Sequence, residues 1–131
     1  MSILDLDLSD AQEPQVAPAN EEYKLRIVGV KVGVDKNSHD YFIPAFEIPD
    51  EPNYKEFSRF YGLPHKDMNP KQLNSCKWQL KSFFEAFKVD HSKKLNVEND
   101  LPGKTGWAIL GVESVEEYGD KNYIKKLIKP K

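Results

Sequence analysis

The sequence contains a single cysteine, Cys76. One thiol cannot close a disulfide within a monomer, nor can it build a cysteine metal site. A chain of 131 residues needs neither, because a domain of that size buries roughly two-thirds of its unfolded surface. No apolar run approaches the roughly 20 residues of a membrane-spanning helix. The first residues, Met1-Ser2-Ile3-Leu4-Asp5, have no basic stretch followed by an apolar one, so no secretory signal is expected. These absences lead to the expectation of a soluble cytoplasmic protein.

Catalytic signatures are also missing. There is no phosphate-binding Walker loop, no nucleophile elbow and no GxGxxG. His39, His65 and His91 fall in three separate predicted loops, and none has a second ligand at zinc spacing. The adjacent acids Asp50-Glu51 and Glu116-Glu117 lie on predicted turns, with neighbouring side chains diverging. The expectation is a non-enzyme without metal or cofactor.

What is present is a strong separation of charge. The net charge is -2. Residues 1–22 hold six acids and no lysine or arginine, whereas the remaining 109 hold 19 basic and 15 acidic side chains, a net of +4. A basic body attracts polyanions, and an acidic arm on the same chain competes with them. Residues 9–20 carry two prolines and no apolar period, which reads as part of a flexible acidic leader over 1–21. Folded order is expected from Glu22-Tyr23, with 22–131 as one domain.

The body reads as five strands and one helix. Tyr23–Val34 is rich in β-branched residues and carries Gly29 and Gly33 where a long strand bends. After the turn Asp35–Asp40 comes a strand at Tyr41–Ile48, and after Pro49–Asn53 a third at Tyr54–Tyr61. Asn69 is a helix N-cap and Pro70 fits the first helical position. Leu73, Cys76, Leu80, Phe83, Phe84 and Phe87 then line one face of a helix over 70–88. Trp78 lies about 140° from Leu73 on that wheel, off the apolar face, where it either covers the rim of the fold or meets a partner. Asp90–Asp100 reads as a loop, and strands are expected at Thr105–Val115 and Tyr123–Ile128 around a Tyr118–Asn122 turn.

The order β-β-β-α-β-β is that of the OB-fold, a partly open five-stranded Greek-key barrel. Several features resemble a known family. They are the Asp/Leu leader, the opening strand Glu22-Tyr23-Lys24-Leu25-Arg26-Ile27 and the helix end Phe83-Phe84-Glu85-Ala86-Phe87. Two more are the turn Leu101-Pro102-Gly103-Lys104 before Trp107, and Tyr118-Gly119-Asp120-Lys121-Asn122 with its basic strand. In outline, over residues 22–128, the chain resembles the single-stranded DNA-binding proteins encoded by bacteriophages. That resemblance implies an OB-fold that coats single-stranded DNA in replication or recombination, in the cytoplasm of an infected bacterium. Many such proteins end in an acidic tail, whereas this chain ends Lys129-Pro130-Lys131.

A sequence-neutral strand binder needs cations for phosphates and aromatic faces for bases. Candidates are Arg26, Lys36, Tyr41, Lys55, Arg59, Tyr61, Lys104, Trp107, Tyr118, Lys121, Tyr123 and Lys125. Lys55, Phe57, Arg59 and Tyr61 share one face of the third strand by even spacing. The face of strands 2 and 3 with the first and last hairpin loops, where OB-folds take ligands, selects Lys36, Tyr41, Arg59, Tyr61, Tyr118, Lys121 and Tyr123. The competing expectation is an interaction module serving a recombinase or polymerase. For the leader, three roles are open: competition with DNA for the groove, recruitment of a replication or recombination protein, or strand pairing between copies of the chain.

Overall fold

The cap residues start the helix where the sequence places it. In the computed structural model, which describes residues 5–117 and 119–130, helix α1 spans Pro70–Ala86. The Asn69 side chain accepts from the Gln72 amide at 2.8 Å, and Gln72 Oε1 accepts from the Asn69 amide at 3.0 Å. This reciprocal capping box, with Pro70 in the first turn, satisfies amide groups that a helix start otherwise leaves unpaired. Among the described residues no helix is long and apolar enough to cross a membrane.

The strands form one antiparallel sheet. They are β1 (Glu22–Val34), β2 (Asp40–Glu47), β3 (Phe57–Ser58), β4 (Tyr61–Gly62), β5 (Thr105–Val115) and β6 (Gly119–Ile128). The order across the sheet is β3-β2-β1-β5-β6, and β4 also pairs with β2. The first half of β1 pairs with β5 and the second half with β2, with a register shift between Ile27 and Gly29. The strand thus changes partner near an interior glycine, as its sequence predicts. The fold class is mostly β with one main helix.

Three elements differ from expectation. The third strand is two short pieces, because the ladder with β2 breaks at Arg59-Phe60, where a bond from the Arg59 amide to the Pro44 carbonyl remains at 3.2 Å. The last strand begins earlier, with Gly119 already paired to Val115. The loop after α1 contains a short helix α2, Val97–Asp100, capped by Asn96.

The core lies between the sheet and α1. Leu80, Phe83, Phe84, Ala86 and Phe87 are buried with Leu25, Ile27, Phe42, Phe46, Ala108, Leu110 and Ile124. Phe83 is central, with its ring centroid 4.7 Å from Tyr61, 5.1 Å from Phe87 and 6.1 Å from Phe46. Cys76 is half-buried and donates to the Gly62 carbonyl at 3.3 Å, and burial pushes its thiol pKa up.

The sheet does not close into a barrel. β3 and β6 approach to within 8 Å at their Cα atoms without pairing. Part of the acidic leader spans this seam. The Gln15 amide donates to the Asn53 carbonyl at 3.2 Å, and the Lys55 amide donates to the Gln15 carbonyl at 2.8 Å. Two residues on, Ala17 is fully buried, and its amide donates to Asn122 Oδ1 at 2.8 Å. Asn122 Nδ2 donates back to the Ala17 carbonyl at 2.9 Å and to the Gly111 carbonyl at 3.1 Å. Residues 15–17 therefore bond to the segment entering β3 on one side and to β6 on the other. Contacts with the body begin well before Glu22, where order was expected to start.

Tyr61 shows how a correct parity can point the wrong way. Phe57 and Tyr61 do share a face, but it is the core face. Tyr61 is 2% exposed and stacks on Phe42 and Phe83. Among the described residues its hydroxyl has no hydrogen-bond partner, and burial pushes its pKa up to about 12. The buried hydroxyl costs stability, so Tyr61→Phe is expected to raise unfolding free energy by about 1 kcal/mol in urea titrations. Because the raised pKa disfavours ionisation in the folded state, the parent keeps its full stability below pH 10 and loses part of it as pH rises towards 12, where the unfolded chain ionises first. The variant is expected to unfold less readily in that window than the parent.

Candidate functional site

Residues alternate across β1, β5 and β6, and the outward set is both aromatic and basic. Lys24 pairs across with Trp107, which pairs with Ile128; Glu22 pairs with Ile109, which pairs with Lys126; and Gly111 pairs with Tyr123. Cross-strand partners share a face. Trp107 is 48% and Tyr123 39% exposed. Four residues along β5 separate the two positions, about 13 Å. Glu22 sits on the same face and offsets one of its positive charges.

Two glycines shape β5, Gly106 on the core side and Gly111 on the outer face. A Cβ on Gly106 would meet the Ala86 carbonyl oxygen at 2.6 Å, so only glycine lets the end of α1 press against β5 beside Trp107. A Cβ on Gly111 would meet the Tyr123 ring at 2.4 Å. The Tyr123 ring lies flat over that bare backbone.

Lys88, just after α1, adds charge beside Trp107. Lys24, Lys88, Trp107 and Lys129 line one cleft of about 360 Å³. Lys129 Nζ also lies 5.4 Å from the centroid of Trp78, which is 56% exposed on α1. That is cation–π range. Both tryptophans of the chain thus flank the last residues of β6. Lys88 has φ 57°, the left-handed conformation in which a helix usually places glycine. A lysine here costs about 1 kcal/mol of backbone strain at a position where it adds charge to the cleft. Lys88→Gly is expected to raise stability by about that amount while weakening anion binding at the cleft, as read by thermal melting and oligonucleotide titration.

The sequence-derived candidates divide. Trp107 and Tyr123 share the face just described. Lys125 is exposed at its edge, with Nζ 2.7 Å from Asn20 Oδ1. Lys104 is exposed in the turn leading into β5, and its carbonyl accepts from the Ile27 amide. Arg59 is half-buried, with its guanidinium 4.8 Å from the Tyr61 ring centroid, and lines a cleft with Trp78 and Lys126 between α1 and β6. Arg26 is tied to Glu47 through Nε at 2.6 Å, and Lys121 lies 3.3 Å from Glu113. These two charges are largely spent on neighbours. Lys55 is half-buried beside Gln15. Tyr61 is removed from any ligand face by burial. Tyr118 lies outside the described residues.

Lys36 and Tyr41 sit at the far end of β1. Lys36 lies in the β1–β2 turn just after Val34, and Val34 is ten residues beyond Lys24, so Lys36 is at least about 30 Å from the Lys24–Trp107 pair along the strand. Tyr41 lies over Gly33 and 5.0 Å from Phe60, which is 58% exposed. This aromatic pair is on the β2 face where ligands were expected.

Lys24, Lys88, Lys126, Lys129 and Trp78 were not among the candidates. Trp78 was signalled by its place off the apolar helix face, but its neighbour Lys129 comes from the chain's other end. The four lysines converge only through the β1–β5–β6 register and the close approach at Gly106, neither of which has a local signature.

No histidine has a second ligand at zinc spacing along the sequence, but the fold supplies one. Pairing of β2 with β4 sets the residues before one beside those after the other, and His39, His65 and Asp67 come together. A scan of protein-family models finds no match to the chain, and a search of curated proteins finds no relative.

Proposed function

We propose that this chain binds single-stranded DNA without strong sequence preference, in the manner of the bacteriophage-encoded proteins it resembles, and that its sheet is an OB-type barrel clasped by its own leader. The observation that carries the reading is Trp107, an exposed ring on a rigid strand with Lys24, Lys88 and Lys129 around one cleft. An indole face stacks on any base, worth about 1–3 kcal/mol, and the ammonium groups hold the flanking phosphates. Tyr123 and Trp78 extend the stacking surface to either side. The barrel reading rests on the strand order and on one long helix between the short strands and β5. It requires the seam between β3 and β6 to be filled by residues 15–17 rather than by direct pairing.

The test is a fluorescence anisotropy titration of labelled oligo-dT, with duplex of the same length as control. Lys24, Lys88, Lys126 and Lys129 supply about four phosphate contacts, so log K against log salt has an expected slope of about -3. Affinity then falls roughly 50-fold between 50 and 200 mM salt. Equal affinity for duplex, or a slope near zero, would favour the protein-interaction module instead.

A further inference from the structure

The two loops that flank the β2–β4 pairing carry an arrangement unrelated to the basic face. His39 precedes β2, and His65 and Asp67 follow β4. The Leu63 amide donates to the Asp40 carbonyl at 3.0 Å, which locks the loops side by side. His39 Nε2 is 2.8 Å from Asp67 Oδ2. The rings of His39 and His65 stack with centroids 3.6 Å apart and planes 7° from parallel. One ligand atom from each of His39, His65 and Asp67 lies within 4.8 Å of the others.

The surroundings orient this group as an outer shell orients metal ligands. Asp35 Oδ1 accepts from the amides of Asn37 and His39 at 2.8 and 3.0 Å, which fixes the turn. Asp35 Oδ2 lies 3.7 Å from His39 Nδ1. The 2.8 Å contact between His39 Nε2 and Asp67 Oδ2 is a hydrogen bond whose proton a bound ion would displace. His39 and His65 are half-buried and Asp67 is exposed, so an ion has a path from solvent and room for water ligands.

We propose that His39, His65 and Asp67 form a binding site for a borderline divalent transition metal, with Zn²⁺ as the reference ion. Two imidazole nitrogens and one carboxylate suit Zn²⁺ and its neighbours in the series rather than Mg²⁺ or Ca²⁺, which prefer all-oxygen shells. Solvent completes the coordination. Imidazole lone pairs lie in the ring plane, so the stacked rings fan apart to converge on the ion. The metal then clasps the β1–β2 turn, with Lys36 upon it, to the connection between β4 and α1.

The test uses the full chain. Isothermal titration with Zn²⁺ is expected to show one ion per chain, and Co²⁺ to give a visible ligand-field absorption band. The melting temperature is expected to rise by roughly 5 °C or more at a hundredfold excess over Kd, with no rise in Mg²⁺. In NMR spectra the ring protons of His39 and His65 are expected to lose the upfield shift that stacking imposes. Asp67→Asn, at an exposed position that tolerates change, and His65→Ala are expected to weaken Zn²⁺ binding at least tenfold, and His91→Ala to leave it unchanged. Absence of a stoichiometric Zn²⁺ isotherm overturns the proposal. So does unchanged affinity in folded Asp67→Asn and His65→Ala, or an equal loss in His91→Ala.

Discussion

Deleting residues 1–21 is expected to destabilise the body by about 3–5 kcal/mol. Asn122, 2% exposed, makes three hydrogen bonds, two of them to Ala17. Gln15, Asn20 and Glu21 add backbone bonds to Asn53, Lys55 and Leu110. Each such bond is worth about 1 kcal/mol net, and stranding a buried polar group costs about 1–3 kcal/mol. Against a typical total stability of about 5–15 kcal/mol this is a large share. Asn122→Ala isolates the central part of the effect with an expected loss of about 3 kcal/mol, because it strands the Ala17 amide and carbonyl under cover. Urea unfolding midpoints measure both. If the chain beginning at Glu22 has an unchanged midpoint, residues 15–17 do not clasp the seam.

This changes how the leader has to be tested. Truncation removes a structural clasp together with the acids, so it cannot by itself reveal competition with DNA. Asp5, Asp7 and Asp10 are exposed and lie before the clasp begins at Gln15. Changing them to Asn removes their charge and leaves the clasp in place.

The second large effect is on binding. Trp107→Ala is expected to weaken oligo-dT binding by about 1–3 kcal/mol, roughly 5- to 150-fold in Kd, with melting nearly unchanged because the ring is half in solvent. Phe60→Ala is the matched control, since Phe60 is as exposed and sits beside Tyr41 on the β2 face. It is expected to leave Kd within about twofold. The reverse pattern would move the strand to the β2 face.

Much of the fold was legible because its determinants are local. Asn69-Pro70 and the phenylalanine spacing mark α1, and Thr105–Val115 is a strand with the bounds the sequence predicts. Period-two spacing correctly put Phe57 and Tyr61 on one side, but period alone does not say which side is buried. That is decided by Phe83 arriving from α1, and it is why Tyr61 was misplaced as a base platform. The contacts of the leader are hidden in the sequence for a related reason. The stretch Glu13–Asn20 is proline-rich and without period, and its one buried side-chain partner, Asn122, lies about a hundred residues away. The site was legible in kind and only partly in place. Trp107 and Tyr123 are strand aromatics beside lysines in the sequence itself, whereas Lys88 and Lys129 reach Trp107 only through tertiary packing. The His39–His65–Asp67 group is likewise a product of the β2–β4 pairing, invisible to ligand spacing along the chain.

The most direct measurement is intrinsic tryptophan fluorescence of the full chain during oligo-dT titration, in single-tryptophan variants Trp78→Phe and Trp107→Phe. A strand lying across the β1–β5–β6 face stacks on Trp107 and passes Trp78. Both variants are then expected to show saturable quenching at the same DNA stoichiometry, strongest where Trp107 remains. Binding by anisotropy with no change in either tryptophan would contradict the account.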